Sequence, residues 1–154
     1  MIVASDSTTL IILADAQKLA YATNIFEKIL LPKAVFDEVN YKNTCNFPEN
    51  FEVVEVKLGD EFDVLLQLLD TGESHAIALA KQRNLPLIID EKKGRKIAKN
   101  LGIHVLGLLG VVYLNIQKGF LSKKEAEDFL ETAKKNGYRI SETLINDMFA
   151  SLYM

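Results

Sequence analysis

Two short apolar runs, each closed by an aspartate, constrain this chain most. Ile2-Val3-Ala4-Ser5 ends at Asp6, and Leu87-Ile88-Ile89 ends at Asp90. A strand wet on one face alternates apolar and polar residues, whereas a run this uniformly apolar belongs in a sheet covered on both faces. Covered parallel sheets need helical crossovers, and the intervening sequence alternates helical and strand-like stretches. In open parallel sheets, sites form in the crevice beyond the carboxyl ends of the strands. Asp6 and Asp90 each stand at such an end. Each also has a plainer reading. Asp6 precedes Ser7-Thr8-Thr9 and Asp90 precedes a helical stretch, so either fits a helix N-cap.

The rest of the pattern is read from the same signals. Helices are expected over Leu10–Ala16, Gln17–Thr23 and Pro32 or Lys33 to Val39. Further helices are expected over Glu61–Leu69, Gly72–Asn84, Glu91–Leu101 and Leu108–Lys118. Ser122 with Glu125 makes a capping box for a helix to Asn136, Gly137 suits its C-cap, and Ser141 opens a last helix to the C-terminus. Strands are expected at Ile29–Leu31, at Phe51–Val56 near a sheet edge, and at Ile103–Leu106. The polar stretch from Asn40 to Asn50, with Asn43, Asn46 and Pro48, reads as a loop.

Composition narrows the function. At 154 residues the chain fits one domain with a proper core. Its formal net charge of −3 gives no global attraction to nucleic acid, so any such binding needs a local basic patch. The single cysteine, Cys45, excludes an internal disulfide and a cysteine-based zinc site, and it fits a reducing cytosol. The first residues lack a basic segment and Asp6 interrupts them, unlike a signal peptide. The apolar run from Leu101 to Ile116 is too short and too rich in glycine for a comfortable membrane span. A cytoplasmic protein is the expectation.

Two further acids fall where such a sheet brings helices to the same edge. Glu73 shares a helical face with Ala76, Ile77 and Ala80, an apolar and core-directed face. The helix dipole explains a carboxylate there, and so does a metal beyond the helix start. Glu38 flanks the stripe of Val35 and Val39, beside Asp37, on a helix end that also reads as solvated surface. Four clustered carboxylates raise one another's pKa unless a cation joins them. A hard divalent metal supplies that cation, and its chemistry is hydrolysis of a phosphodiester. Between Lys81 and Asn100 stand Lys81, Arg83, Lys92, Lys93, Arg95, Lys96 and Lys99 against only Asp90 and Glu91. A basic helix starting at a site acid suits a phosphodiester strand, although charged helix faces are usually only solvated.

Other residues carry blander readings. His75 and His104 sit in apolar contexts as core or rim histidines. Gly107-Leu108-Leu109-Gly110 suits close packing of a strand and a helix. The stripe of Leu144, Ile145, Met148, Phe149 and Leu152 suits core first and an interface second. Nucleophile-elbow, P-loop and dinucleotide fingerprints are missing. A receiver-like signalling domain needs a paired acid at the first strand and a lysine after the last. Ser7 follows Asp6, and Val105-Leu106-Gly107 offers no lysine.

Taken in order, these segments resemble the PIN-domain family of small metal-dependent nucleases. The match runs through Ile2–Ile11, Leu31–Val39, Gly72–Ala80, Leu87–Arg95, Gly102–Val105, Gly107–Gly110 and Asn136–Ser141. It is nearest the prokaryotic branch related to VapC-type toxins, much of it without assigned function. Glu73 replaces the Asp that many active toxins carry, and Thr9 replaces a frequent Pro. The resemblance implies a three-layer α/β/α fold: one PIN-like domain over 1–154, with appended C-terminal helices over 122–154. It implies Mg²⁺ or Mn²⁺ held by Asp6, Glu38, Glu73 and Asp90, the catalytic acids, with single-stranded RNA as substrate. Lys92, Lys93, Arg95 and Lys96 are the expected RNA contacts, with Ser7 or Thr8 supporting a carboxylate or a phosphate. Family toxins are often homodimers neutralised by a small antitoxin. The other reading is a catalytically inactive PIN-like module that binds RNA or protein.

Overall fold

A computed structural model describes residues 1–41 and 44–152. Asn43, in the expected loop, and residues 153 and 154, at the end of the expected last helix, lie outside the described residues. Five strands form one all-parallel sheet: β1 (Ile2–Ser5), β2 (Lys28–Pro32), β3 (Phe51–Val54), β4 (Leu87–Ile88) and β5 (Val105–Leu106), in the order β3-β2-β1-β4-β5. Val3, Ala4, Ile29, Leu31, Leu87 and Ile88 are sealed from solvent, as continuous apolar runs require. The strand expected near an edge, β3, is an edge strand, and Val53 is exposed there.

The chain runs outward from β1 to β2 and β3, then returns to β4 on the other side of β1. Strand order therefore reverses between β1 and β4, and a crevice opens beyond their carboxyl ends. The helices are α1 (Ser7–Asp15), α2 (Ala20–Thr23), α3 (Lys33–Val39), α4 (Asp60–Leu68), α5 (Thr71–Arg83), α6 (Lys92–Asn100), α7 (Leu108–Gln117), α8 (Lys123–Lys135) and α9 (Glu142–Ser151). Helix α5 packs over β1, β2 and β4 with α3 and α4 against it, whereas α7 packs on β5 with α2, α8 and α9 around it. This is the α/β/α arrangement expected from the sequence. Ala126, Phe129, Leu130 and Ala133 of α8 and Ile145 and Met148 of α9 join the same apolar core as the sheet. Tyr21 meets Phe129 edge-on, with ring centroids 5.2 Å apart. Among the described residues no helix is long and apolar enough to cross a membrane.

Several boundaries differ from the sequence reading: the helix expected from Leu10 begins at Ser7 with Asp6 as its N-cap, and the strand expected to reach Val56 ends at Val54. Two of the differences have a clear local reason. The helix expected from Gln17 begins at Ala20. Gln17 is left-handed (φ 58°), and the Lys18 N–H turns back to the Leu13 carbonyl at 2.7 Å, closing α1. The strand expected from Ile103 begins at Val105. Gly102 (φ 81°) reverses the chain, and the Ile103 N–H still bonds the Ala98 carbonyl of α6 at 3.0 Å.

Candidate active site

Asp6 is positioned by the β1–β4 pairing. Its backbone N–H donates to the Ile88 carbonyl at 2.8 Å, so the chain stays pinned to β4 as it leaves the sheet. Asp6 then occupies the N-cap of α1, but its side chain makes no capping bond. The carboxylate is instead buried (3% exposed), and Oδ1 has no hydrogen-bond partner among the described residues. Burial pushes this carboxyl up to about 7. The Ser7 backbone N–H pulls it down in part, while the charges of Asp70, Glu38 and Glu91 push it up.

Glu73 reaches the same region from α5. Asp70 caps that helix, accepting the Glu73 N–H at 2.8 Å, and this fixes the first turn. Glu73 is 4% exposed, and its Oε2 is likewise without a partner. Burial raises its carboxyl to about 8, helped by a hydrogen bond with Asp70 and by the charges of Asp70, Asp6 and Glu91. A helix N-terminus favours an ionised acid, so here burial and like charge outweigh the dipole. Two buried hydroxyls on the same two helices, Thr9 and Ser74, also lack partners.

Glu38 and Asp90 are held differently. Glu38, exposed near the end of α3, accepts a 2.5 Å hydrogen bond from the Ser7 hydroxyl. Thr8 is half-buried beside Ser7 on α1. Asp90 is half-buried, and its Oδ1 accepts the Leu108 N–H at 3.1 Å. Asp90 thus serves the first turn of α7, not α6, whose N-cap is Glu91. Two acids that had not been singled out, Asp70 and Glu91, also push up the carboxyls of Asp6 and Glu73. Asp70-Thr71-Gly72-Glu73 carries a sequence signal, a cap residue with Glu three positions on, and Glu91 carries only its place beside Asp90.

Glycines make the room for three of these carboxylates. A Cβ on Gly72 would lie 2.8 Å from Glu38 Cδ, one on Gly94 would lie 2.6 Å from Glu73 Oε2, and one on Gly107 would lie 2.8 Å from Asp90 Oδ1. Gly94 stands inside α6, where glycine costs helix stability of about 1 kcal/mol relative to alanine. A glycine inside a basic helix was the available signal for this close approach. Gly110 has the plainer role, seating α7 against the Leu106 side chain.

The donor set is all oxygen, as a hard divalent cation requires, and Asp6 and Glu73 hold buried oxygens with nothing to bond. In chemistry and burial the residues fit such an ion. Among the described residues no three Asp, Glu, His or Cys side chains converge into a ready cage, since Ser7 and the Leu108 N–H hold Glu38 and Asp90. Beside the acids, α6 presents Lys92, Lys93 and Lys96 in solvent and Arg95 half-buried. None of these four side chains has a hydrogen-bond or ion-pair partner among the described residues. The histidines are otherwise occupied. His75 Nδ1 bonds the Thr71 carbonyl at 2.7 Å and its ring stands edge-on to Phe62, while His104 is exposed.

The family model described as PIN domain matches residues 2–153, and the chain belongs to the PIN-domain family. Among solved structures, it is similar to a PilT N-terminus domain protein from the hyperthermophilic archaeon Sulfolobus solfataricus. That match has 13% identity and a TM-score of 0.37, and covers 92% of this chain and 100% of the other. No curated protein matches.

Proposed function

We propose that this chain is a metal-dependent endoribonuclease that hydrolyses phosphodiester bonds of single-stranded RNA in the cytoplasm. One observation carries the reading: Asp6 and Glu73 bring two buried carboxylates with unpartnered oxygens to the β1–β4 crevice. An uncompensated pair of this kind is costly, and a divalent cation converts the cost into binding. Asp6 and Asp90 would hold Mg²⁺ or Mn²⁺ directly, with Glu38 and Glu73 completing the shell directly or through water. Such an ion, when bound, polarises the phosphate and lowers the pKa of the attacking water. The Ser7 hydroxyl orients Glu38. Lys92, Lys93, Arg95 and Lys96 neutralise backbone phosphates, and these contacts fix register without reading sequence. Membership of the PIN family supports the nuclease class. The resemblance to VapC-type toxins supports RNA as substrate, a homodimer, and a small antitoxin as partner.

The test is cleavage of an end-labelled, mixed-sequence single-stranded RNA with Mn²⁺ or Mg²⁺, beside EDTA and Asp6→Asn. Metal-dependent cutting that vanishes in the variant is expected, with a loss of at least about a hundredfold. Cutting that persists in Asp6→Asn would remove the site from the reaction. The second reading, an inactive PIN-like binding module, is favoured by the absence of a three-carboxylate cage among the described residues. It predicts RNA binding without cutting and weak Mn²⁺ affinity by calorimetry.

A further inference from the structure

Beyond Asp90, on the far side from Asp6 and Glu73, lies a recess of about 540 Å³ between β5, α7 and α9. Its wall contains Asp90, a proposed metal ligand, and Arg95 of α6, with Tyr113, Arg139, Leu144 and Met148, which the nuclease reading does not use. Neither the Arg95 nor the Arg139 guanidinium has an ion-pair or hydrogen-bond partner among the described residues, although Asp90 and Asp147 line the same space. Gly107 holds the junction open. A Cβ there would lie 2.8 Å from Asp90 Oδ1 and 3.0 Å from Arg95 Nη1, filling the gap between the acid and the guanidinium.

We propose that this recess binds the nucleotide flanking the scissile phosphate, with its base against Tyr113 and the neighbouring apolar wall and its phosphate on Arg95 and Arg139. The inference rests on the ribonuclease reading and assigns its substrate a second point of contact. Three features carry it. Guanidinium forks match phosphate oxygens in pairs, and these two are uncommitted. A half-buried tyrosine beside Leu144 and Met148 offers the aromatic and apolar surface on which an unstacked base rests. The two carboxylates in the wall make the recess charge-balanced rather than a bare anion trap, which suits a nucleotide better than inorganic phosphate. Asp90 lines the recess and is a proposed metal ligand, so on the ribonuclease reading a strand lying in the recess passes the reacting centre.

The probe is a fluorescein-labelled five-nucleotide single-stranded RNA, bound in EDTA so that no cleavage occurs and read by anisotropy. Arg139 is exposed and outside any helix, so Arg139→Ala leaves the fold intact. Arg139→Ala and Tyr113→Leu should each raise Kd about tenfold. Tyr113→Phe should bind as the native chain does, and Arg139→Ala alone should flatten the salt dependence. Native-like binding by both weakened variants, in a chain that binds RNA and cuts it with Mn²⁺, would overturn the recess and leave the nuclease standing. Competition by inorganic phosphate or a glutamate-rich peptide equal to that of a nucleoside monophosphate would also overturn it. A native chain that neither binds nor cuts RNA would overturn the ribonuclease reading, and the recess assignment with it.

Discussion

At the residue scale, Asp6 and Glu73 set a pH dependence whose sign is fixed. An unfolded chain releases these protons near the usual 3.8 and 4.5, whereas the folded chain keeps them to about 7 and about 8. Across that window the folded state binds more protons than the unfolded one, so stability falls as pH rises. Urea midpoints measured in EDTA should therefore drop between pH 5 and pH 8 by more in the native chain than in Asp6→Asn. Mn²⁺ should restore the native midpoint at pH 8 and leave that of Asp6→Asn nearly unchanged. A native profile as flat as the variant's would mean that Asp6 is not buried as an acid. Glu73 was legible because its helical face could be read from Ala76, Ile77 and Ala80. The partners of Glu38 and Asp90 were not. A hydroxyl on α1 and an N–H on α7 reach them only once the helices have docked, and no spacing along the chain encodes that.

At the scale of elements, α6 is the unusual helix, basic on its outside and carrying a glycine at its closest approach to the sheet. Gly94→Ala improves helix propensity, yet its methyl would meet both Glu73 Oε2 and Ile89 Cδ1, at 2.6 and 2.7 Å. The clash should win, costing about 1–3 kcal/mol in urea unfolding; a neutral or stabilising result would show that α6 is free to move away. Element types were widely readable because apolar period and capping chemistry agree, as at α8, where Ser122 and Glu125 form both bonds of the capping box. One boundary failed where the backbone turned left-handed with nothing in the sequence to mark it. Gln17 does so with no glycine or asparagine to mark the stop.

For the whole molecule, one buried amide joins the two halves of the helical layer around α7. Asn115 is sealed from solvent and donates to the Tyr21 carbonyl at 2.7 Å and the Val111 carbonyl at 2.8 Å, while Asn24 donates to its Oδ1 at 3.1 Å. Asn115→Ala strands the α2 carbonyl and should cost about 1–3 kcal/mol in the urea midpoint. A loss below a few tenths would show that water takes over those bonds. Asn115 was not singled out in the sequence, since two of its three partners, Tyr21 and Asn24, lie some ninety residues away around a short helix that was itself misplaced. The sheet was legible as a whole because its strands are covered on both faces, which leaves uninterrupted apolar runs to read. Its order has a consequence during synthesis. The first strand made is the middle strand of the sheet, and its neighbour β4 arrives only after β2, β3 and five helices have been translated. A nascent chain on the ribosome thus carries Asp6 early but cannot close the crevice around it until the segment through α6 has emerged. The candidate active centre is accordingly completed long after its first acid has been made.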